Sequence, residues 1–183
     1  MKQTLLLLAI VFKSIFGFSQ NSNDLQVSLS GIGGIRLNMS IADVEKIINQ
    51  KINSKLAKGA ADYAMDTVSV TFKGAAIEII FYNQYTDQQR SEVSVYAITC
   101  SSPSCKTKSG ISIGDDKLKI VSTYDTYYME IAPYIEDLGN EQYKPSKTRS
   151  TITIHGQDEN GVIIFNLNNN KVSSFTVSVF EGC

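Results

Sequence analysis

Gly34-Ile35-Arg36-Leu37-Asn38-Met39-Ser40, followed by Val44, aligns without gaps on Gly110-Ile111-Ser112-Ile113-Gly114-Asp115-Asp116, followed by Ile120. Each copy reads as a short strand that turns into a helix. In the first, Ser40 is placed to cap the amides of the opening turn with Asp43 three residues on, and Ile41, Val44, Ile47 and Ile48 fall on one helical stripe. In the second, Asp115 or Asp116 takes the cap, where an acid also suits the helix dipole, and Leu118, Val121 and Tyr124 carry the apolar stripe.

The likeness of the two halves continues downstream. Val68 and Val70 match Ile152 and Ile154; Ile77, Ile79 and Phe81 match Gly161, Ile163 and Phe165; Val93, Val95 and Ala97 match Phe175, Val177 and Val179. Each set alternates with polar or smaller residues, as half-buried antiparallel strands do. Lys73-Gly74, Asp158-Glu159-Asn160-Gly161 and Asn168-Asn169-Asn170 supply turn residues that tolerate positive φ. The second copy carries extra length between helix and hairpin, where Tyr127 to Leu138 is expected to form another helix, interrupted or started at Pro133. The expected fold class is α+β: two tandem strand-helix-antiparallel-meander units, over 20–106 and 107–183, with helices packed on one face of antiparallel sheet.

Gly110-Ile111-Ser112-Ile113-Gly114-Asp115, the aromatic strand Ile163-Ile164-Phe165, and Lys171-Val172 leading into Phe175-Thr176-Val177 carry a family resemblance. The chain resembles the β-lactamase inhibitor protein group and the outer-membrane assembly lipoproteins of the BamE/OmlA type. In those families a Gly-Ile-x-Ile-Gly-like strand leads into a helix and then antiparallel strands. The resemblance covers most of the chain and implies a non-catalytic, protein-binding module. Tandem copies in the inhibitor group present a concave sheet surface to a partner, and the assembly lipoproteins hold envelope components together. Two departures stand against a direct transfer: no lipid-attachment cysteine is present, and the cysteines do not place one disulfide inside each unit.

Lys2, the apolar run from Leu5 to Phe12 and the small residues of Gly17-Phe18-Ser19 read as a secretory leader over 1–19, cleaved before Gln20. The run is too short to span a bilayer, so the expectation is a secreted or periplasmic protein with no membrane anchor after cleavage. Without Lys2 and Lys13, the 17 basic residues fall to 15 against 18 acidic ones, a net charge of about −3. No basic cluster is left to neutralise phosphates along nucleic acid, and no cofactor signature is present. Three cysteines permit one disulfide. Cys100 and Cys105 enclose the turn-like Ser-Ser-Pro-Ser, while Cys183 is an alternative partner for Cys100 if the two strand ends are neighbours.

With Val68, Val70, Ile79, Phe81, Ile152, Ile154, Ile163, Phe165, Phe175, Val177 and Val179 turned to the helices, alternate residues form the opposite sheet face. That face is expected to carry Thr67, Ser69, Thr71, Thr151, Thr153, Thr176 and Ser178 among Ile80, Tyr82, Tyr96, Ile98, His155 and Ile164. Tyrosines and aliphatics set among hydroxyls make a surface suited to an unknown protein partner, and these last six are the candidate partner-binding residues. Coverage of Ile80, Ile98 and Ile164 by a loop or by the other unit is the competing account.

Two other chemistries are weighed. Tyr124, Tyr127, Tyr128 and Tyr134 could line a small-ligand or glycan pocket, though packing of helices on sheet explains them as well. His155, the sole histidine, would have to carry any hydrolase machinery, yet it stands beside a glycine at a strand end with no nucleophile motif. Asp158-Glu159-Asn160-Gly161 lacks the distal Glu of a calcium loop and is read as a turn. Gly31-Ile32-Gly33-Gly34 lacks both the Walker lysine and the dinucleotide fingerprint and is likewise read as a turn. Asn38-Met39-Ser40 fits a glycosylation sequon, but capping already accounts for Ser40.

Overall fold

A computed structural model describes residues 25–58, 64–85, 91–156 and 161–180. The predicted leader over 1–19, Asp158-Glu159-Asn160 and Cys183 lie outside them. In chain order the elements are β1 (Leu25–Ser28), β2 (Gly31–Ile32), β3 (Ile35–Arg36), α1 (Ile41–Ile48), β4 (Met65–Phe72), β5 (Ala75–Tyr85) and β6 (Ser91–Cys100). They continue as β7 (Cys105–Thr107), α2 (Lys117–Thr123), β8 (Met129–Asp137), β9 (Tyr143–His155), β10 (Gly161–Asn168) and β11 (Lys171–Val179).

The alternating segments assemble into one antiparallel seven-stranded sheet, ordered β4-β5-β6-β11-β10-β9-β8. A second sheet, β3-β2-β1-β7, lies against it and contains one parallel pair, β1 with β7. The two share a single core. Leu25, Val27, Ile32 and Ile35 of the small sheet join Ile77, Ile79, Phe81, Phe165, Phe175 and Val177 of the large one. The fold is therefore mostly β and sandwich-like, which corrects the α+β expectation.

The reason lies in the lengths of the helices. α1 has eight residues and α2 seven, too few to cover a seven-stranded sheet. α1 starts where the Ser40 hydroxyl accepts from the Asp43 amide and stops after two turns, with Asn49 left-handed at φ 53°. Its Val44 and Ile48 are buried as the stripe requires. In α2 the cap is Asp116, accepting from Leu118 N at 2.9 Å, while Asp115 takes the Ser112 amide at 2.7 Å and the Lys119 ammonium. Ile120 and Tyr124 go inward, but Leu118 is 76% exposed, contrary to its place in the expected stripe. The apolar cover that the helices cannot supply comes from β1 to β3.

The helix expected over Tyr127 to Leu138 is also corrected, because β8 occupies most of that stretch as the outermost strand of the large sheet. Met129 pairs with Ile154 and Ile131 with Ile152, so the inward residues of β9 gain neighbours that a helix would not place in register. Pro133 has no amide to donate, a deficit that an edge strand tolerates. Between Pro133 and Ile135 the pairing with β9 slips, and Ser146 turns inward to accept from the Arg149 amide at 3.1 Å.

Two local features of this frame give testable outcomes. Cys100 and Cys105 form a disulfide across a Cα–Cα distance of 6.6 Å, and it joins the end of β6 in one sheet to β7 in the other. So short a loop removes limited chain entropy, and a Cys100→Ser/Cys105→Ser variant is expected to lose about 2 kcal/mol in urea unfolding. The second feature is Asp66 on β4. Its carboxylate accepts from the Lys55 amide at 2.8 Å and the Ser54 hydroxyl at 2.9 Å, fastening the 3-10 turn at Lys55–Lys58 to the sheet. The Lys55 amide first, then Ser54, holds the carboxyl below its ordinary range. A lowered folded-state pKa means this fastening is fully present above pH 4 and is lost as pH falls through the folded value. Thermal melts of the wild type and an Asp66→Asn variant are expected to differ at pH 6 and to converge towards pH 2.

Candidate functional site

The sheet face turned away from the core is built by register alone. Ser69, Glu78, Thr99, Thr176, Ile164, Thr153 and Glu130 pair in succession and cross all seven strands as one row. The adjacent row runs Thr67, Ile80, Ala97, Ser178, Val162 and His155. Both helices and the small sheet contribute to the core on the other side. Ile80, Tyr82, Tyr96 and Ile164 are half-buried, and Thr67, Ser69, Thr71 and Glu78 are exposed.

A β-bulge decides what this face presents. Ile80 pairs with Ala97 and Phe81 with Val95, so Tyr96 is an extra residue in β6. Tyr96 and Ala97 together oppose one residue of β5, and Tyr96 packs on Tyr82 with ring centroids 5.6 Å apart and ring planes tilted by 54°. Past the bulge the parity of β6 is inverted. Ile98 therefore points into the core, where it is fully buried, and the assignment of Ile98 to the partner-binding face is corrected. Strict alternation had placed Tyr96 and Ile98 on one side, and the added residue separates them.

Hydrogen bonds tie the centre of the face together. The Thr99 and Thr176 hydroxyls lie 2.9 Å apart, and the Asn166 amide donates to Ser174 at 3.0 Å and to Thr176 at 3.1 Å. These groups are organised against one another by their own hydrogen bonds, so their side chains are held in place on the sheet surface.

His155 anchors the flank nearest β8. Its ring is 4.8 Å from both Tyr128 and Phe180, and only 9% of the residue is exposed. Nε2 sits 3.6 Å from Glu130 Oε1, and that carboxylate also accepts the Tyr128 hydroxyl at 3.0 Å. The hydrogen bond to Glu130 raises the Tyr128 phenol above its ordinary pKa. The cluster is thus an aromatic clamp around an imidazole with a carboxylate at its rim. Among the described residues, no hydroxyl or thiol nucleophile is hydrogen-bonded to the imidazole.

Comparison with protein-family models, with curated proteins and with solved structures finds no match. The site is accordingly read from its own geometry. Of the six candidate residues, the sheet brings Ile80, Tyr82, Tyr96, His155 and Ile164 to one face and turns Ile98 away. The four tyrosines of the second half do not converge. Tyr124 is buried against Phe165 at 5.7 Å, Tyr127 packs on Tyr124, Tyr134 lies under the Arg149 guanidinium at 4.1 Å, and Tyr128 belongs to the histidine clamp. Sequence reasoning missed Glu78, Thr99, Asn166 and Glu130. Extending the alternation one step would have found Glu78 and Asn166, whereas Thr99 reaches this face only through the bulge at Tyr96 and Glu130 was hidden by the helix expected around it.

Proposed function

We propose that this is an exported, non-catalytic module that binds a protein partner on the outer face of its seven-stranded sheet. The observation that carries the reading is the outer face itself, a seven-residue row of hydroxyls, acids and Ile164 flanked by the tilted Tyr82–Tyr96 pair. Aromatic rings with polar tips, surrounded by hydrogen-bonded hydroxyls, are the composition of recognition surfaces. The disulfide and the lack of any helix long and apolar enough to cross a membrane among the described residues are compatible with a periplasmic or extracellular setting. The tandem-unit reading is part of the same proposal. The meanders β4-β5-β6 and β9-β10-β11 meet with β6 beside β11, the arrangement two related units would give when laid side by side.

The test is recovery of partners from the native envelope or medium by the purified protein and by a Tyr82→Ala/Tyr96→Ala variant. Loss of a packed tyrosine pair at the centre of an interface is expected to cost at least about 2 kcal/mol, roughly thirtyfold in affinity. Equal recovery of every partner by both proteins would sink the reading.

A further inference from the structure

A shallow cleft of about 350 Å³ opens on the far side of the molecule from the tyrosine pair's sheet face, between β1, the glycine-rich turn from β2 to β3, and the β4–β5 turn. Gln26, Ser28, Ser30, Gly34, Arg36 and Lys73 are among its walls, and no carboxylate of the described residues lines it. Among the described residues, neither Arg36 nor Lys73 takes part in an ion pair. Two cations thus share one concavity with no carboxylate among the described residues that line it.

The fold holds these groups in place. Lys73 occupies a turn at φ 49°, and its Nζ lies 5.4 Å from the centre of the Phe72 ring. That ring packs beneath Gly33, where a Cβ would come within 3.2 Å of Phe72 Cε1, so the ammonium is tethered beside the glycine turn. Arg36 leaves β3 on the solvent side, because its neighbour Ile35 is fully buried. Gly34, at φ 104°, has nothing within 4 Å of where a side chain would begin, leaving bare backbone at the cleft wall. The Ser28 hydroxyl donates to the Gly31 carbonyl at 3.2 Å and lies 3.2 Å from the Ser30 hydroxyl, which leaves Ser30 as the hydroxyl donor of the cleft.

We propose that this cleft binds a polar, phosphate-bearing ligand. A guanidinium, an ammonium and the Ser30 hydroxyl offer more donors than the two oxygens of a carboxylate can use, and they suit the oxygens of a phosphate. The volume is at the lower end for ligand pockets and leaves room for a polar body such as a sugar, which the Gln26 amide can bond. A soluble sugar phosphate and a lipid phosphate headgroup share this chemistry.

The test titrates the isotope-labelled protein with glucose 6-phosphate while following the Gly31, Gly33, Gly34 and Arg36 amides by NMR. In parallel, the protein is sedimented with phosphatidylglycerol vesicles and with phosphatidylcholine vesicles. Saturating shifts that weaken at least tenfold in an Arg36→Gln/Lys73→Gln variant support a soluble ligand. Sedimentation with the anionic vesicles alone, lost in the same variant, supports a lipid-borne one. Both substituted side chains are exposed, so the variant keeps its core, and unchanged shifts at Phe165 and Ile79 verify this. Failure of both probes, or binding of either that the variant leaves intact, overturns the proposal.

Discussion

Phe165→Ala is expected to be the most damaging single truncation in the chain, costing about 3–5 kcal/mol and lowering Tm by roughly 6–20 °C. Phe165 is fully buried on β10 and stands where three elements meet. Its ring lies 5.5 Å from Phe175 of β11 and 5.7 Å from Tyr124 at the end of α2. Removing it vacates a ring-sized space that close-packed neighbours cannot fill, and it also ends one T-shaped and one tilted aromatic contact. Urea unfolding followed by far-ultraviolet circular dichroism measures the loss. A cost below about 1.5 kcal/mol would show that this position does not hold β10 and β11 against the end of α2.

Gly161→Ala is expected to destabilise by about 1–3 kcal/mol although it adds a single methyl group. Gly161 opens β10 in the inward row of Ile163 and Phe165, opposite Val179. A Cβ there would run into the Leu29 carbonyl oxygen and come within 3.0 Å of Leu37 Cδ1. Leu29 belongs to the turn between β1 and β2, so at this point the small sheet touches the large one backbone to backbone. A side-chain obstruction could rotate away, but a carbonyl fixed in a hairpin turn moves only with its strands. A Gly161→Ala/Leu37→Ala variant is therefore expected to stay at or below the stability of Gly161→Ala. Recovery towards wild type on adding Leu37→Ala would show that the leucine, and not the turn, is the obstacle.

The strands were legible in the sequence because a two-residue period survives tertiary packing. Val68 and Val70, Ile77 to Phe81, Ile152 and Ile154, and Phe175 and Val177 all fall where their alternation places them. Turn chemistry was equally readable, since Lys73-Gly74 and Asn169-Asn170 adopt the positive φ their residue types allow. The helix cap at Ser40 follows from local hydrogen bonding alone. What escaped was non-local. Leu25-Gln26-Val27-Ser28 is only four residues long and pairs in parallel with Cys105-Lys106-Thr107, about eighty positions away, so no neighbouring pattern announces the second sheet. The bulge at Tyr96 escaped for a related reason: an extra residue in one strand is defined by its partner, and β6 read by itself alternates without a break. Ile98 moved to the core on that account, while Ile80, Tyr82, Tyr96 and Ile164 kept the side expected of them.

The seven-stranded sheet does not close on itself, and its rim at β8 has a bearing on how the protein behaves when crowded. Backbone groups at such a rim can recruit an identical strand from another molecule and seed polymerisation. Here the recruiting strand is spoiled in two ways. Pro133 withholds a donor halfway along, and Glu130 and Asp137 set negative charges on any copy that approaches. The same nine residues that finish the sheet on this side thereby oppose its extension by a second copy at β8.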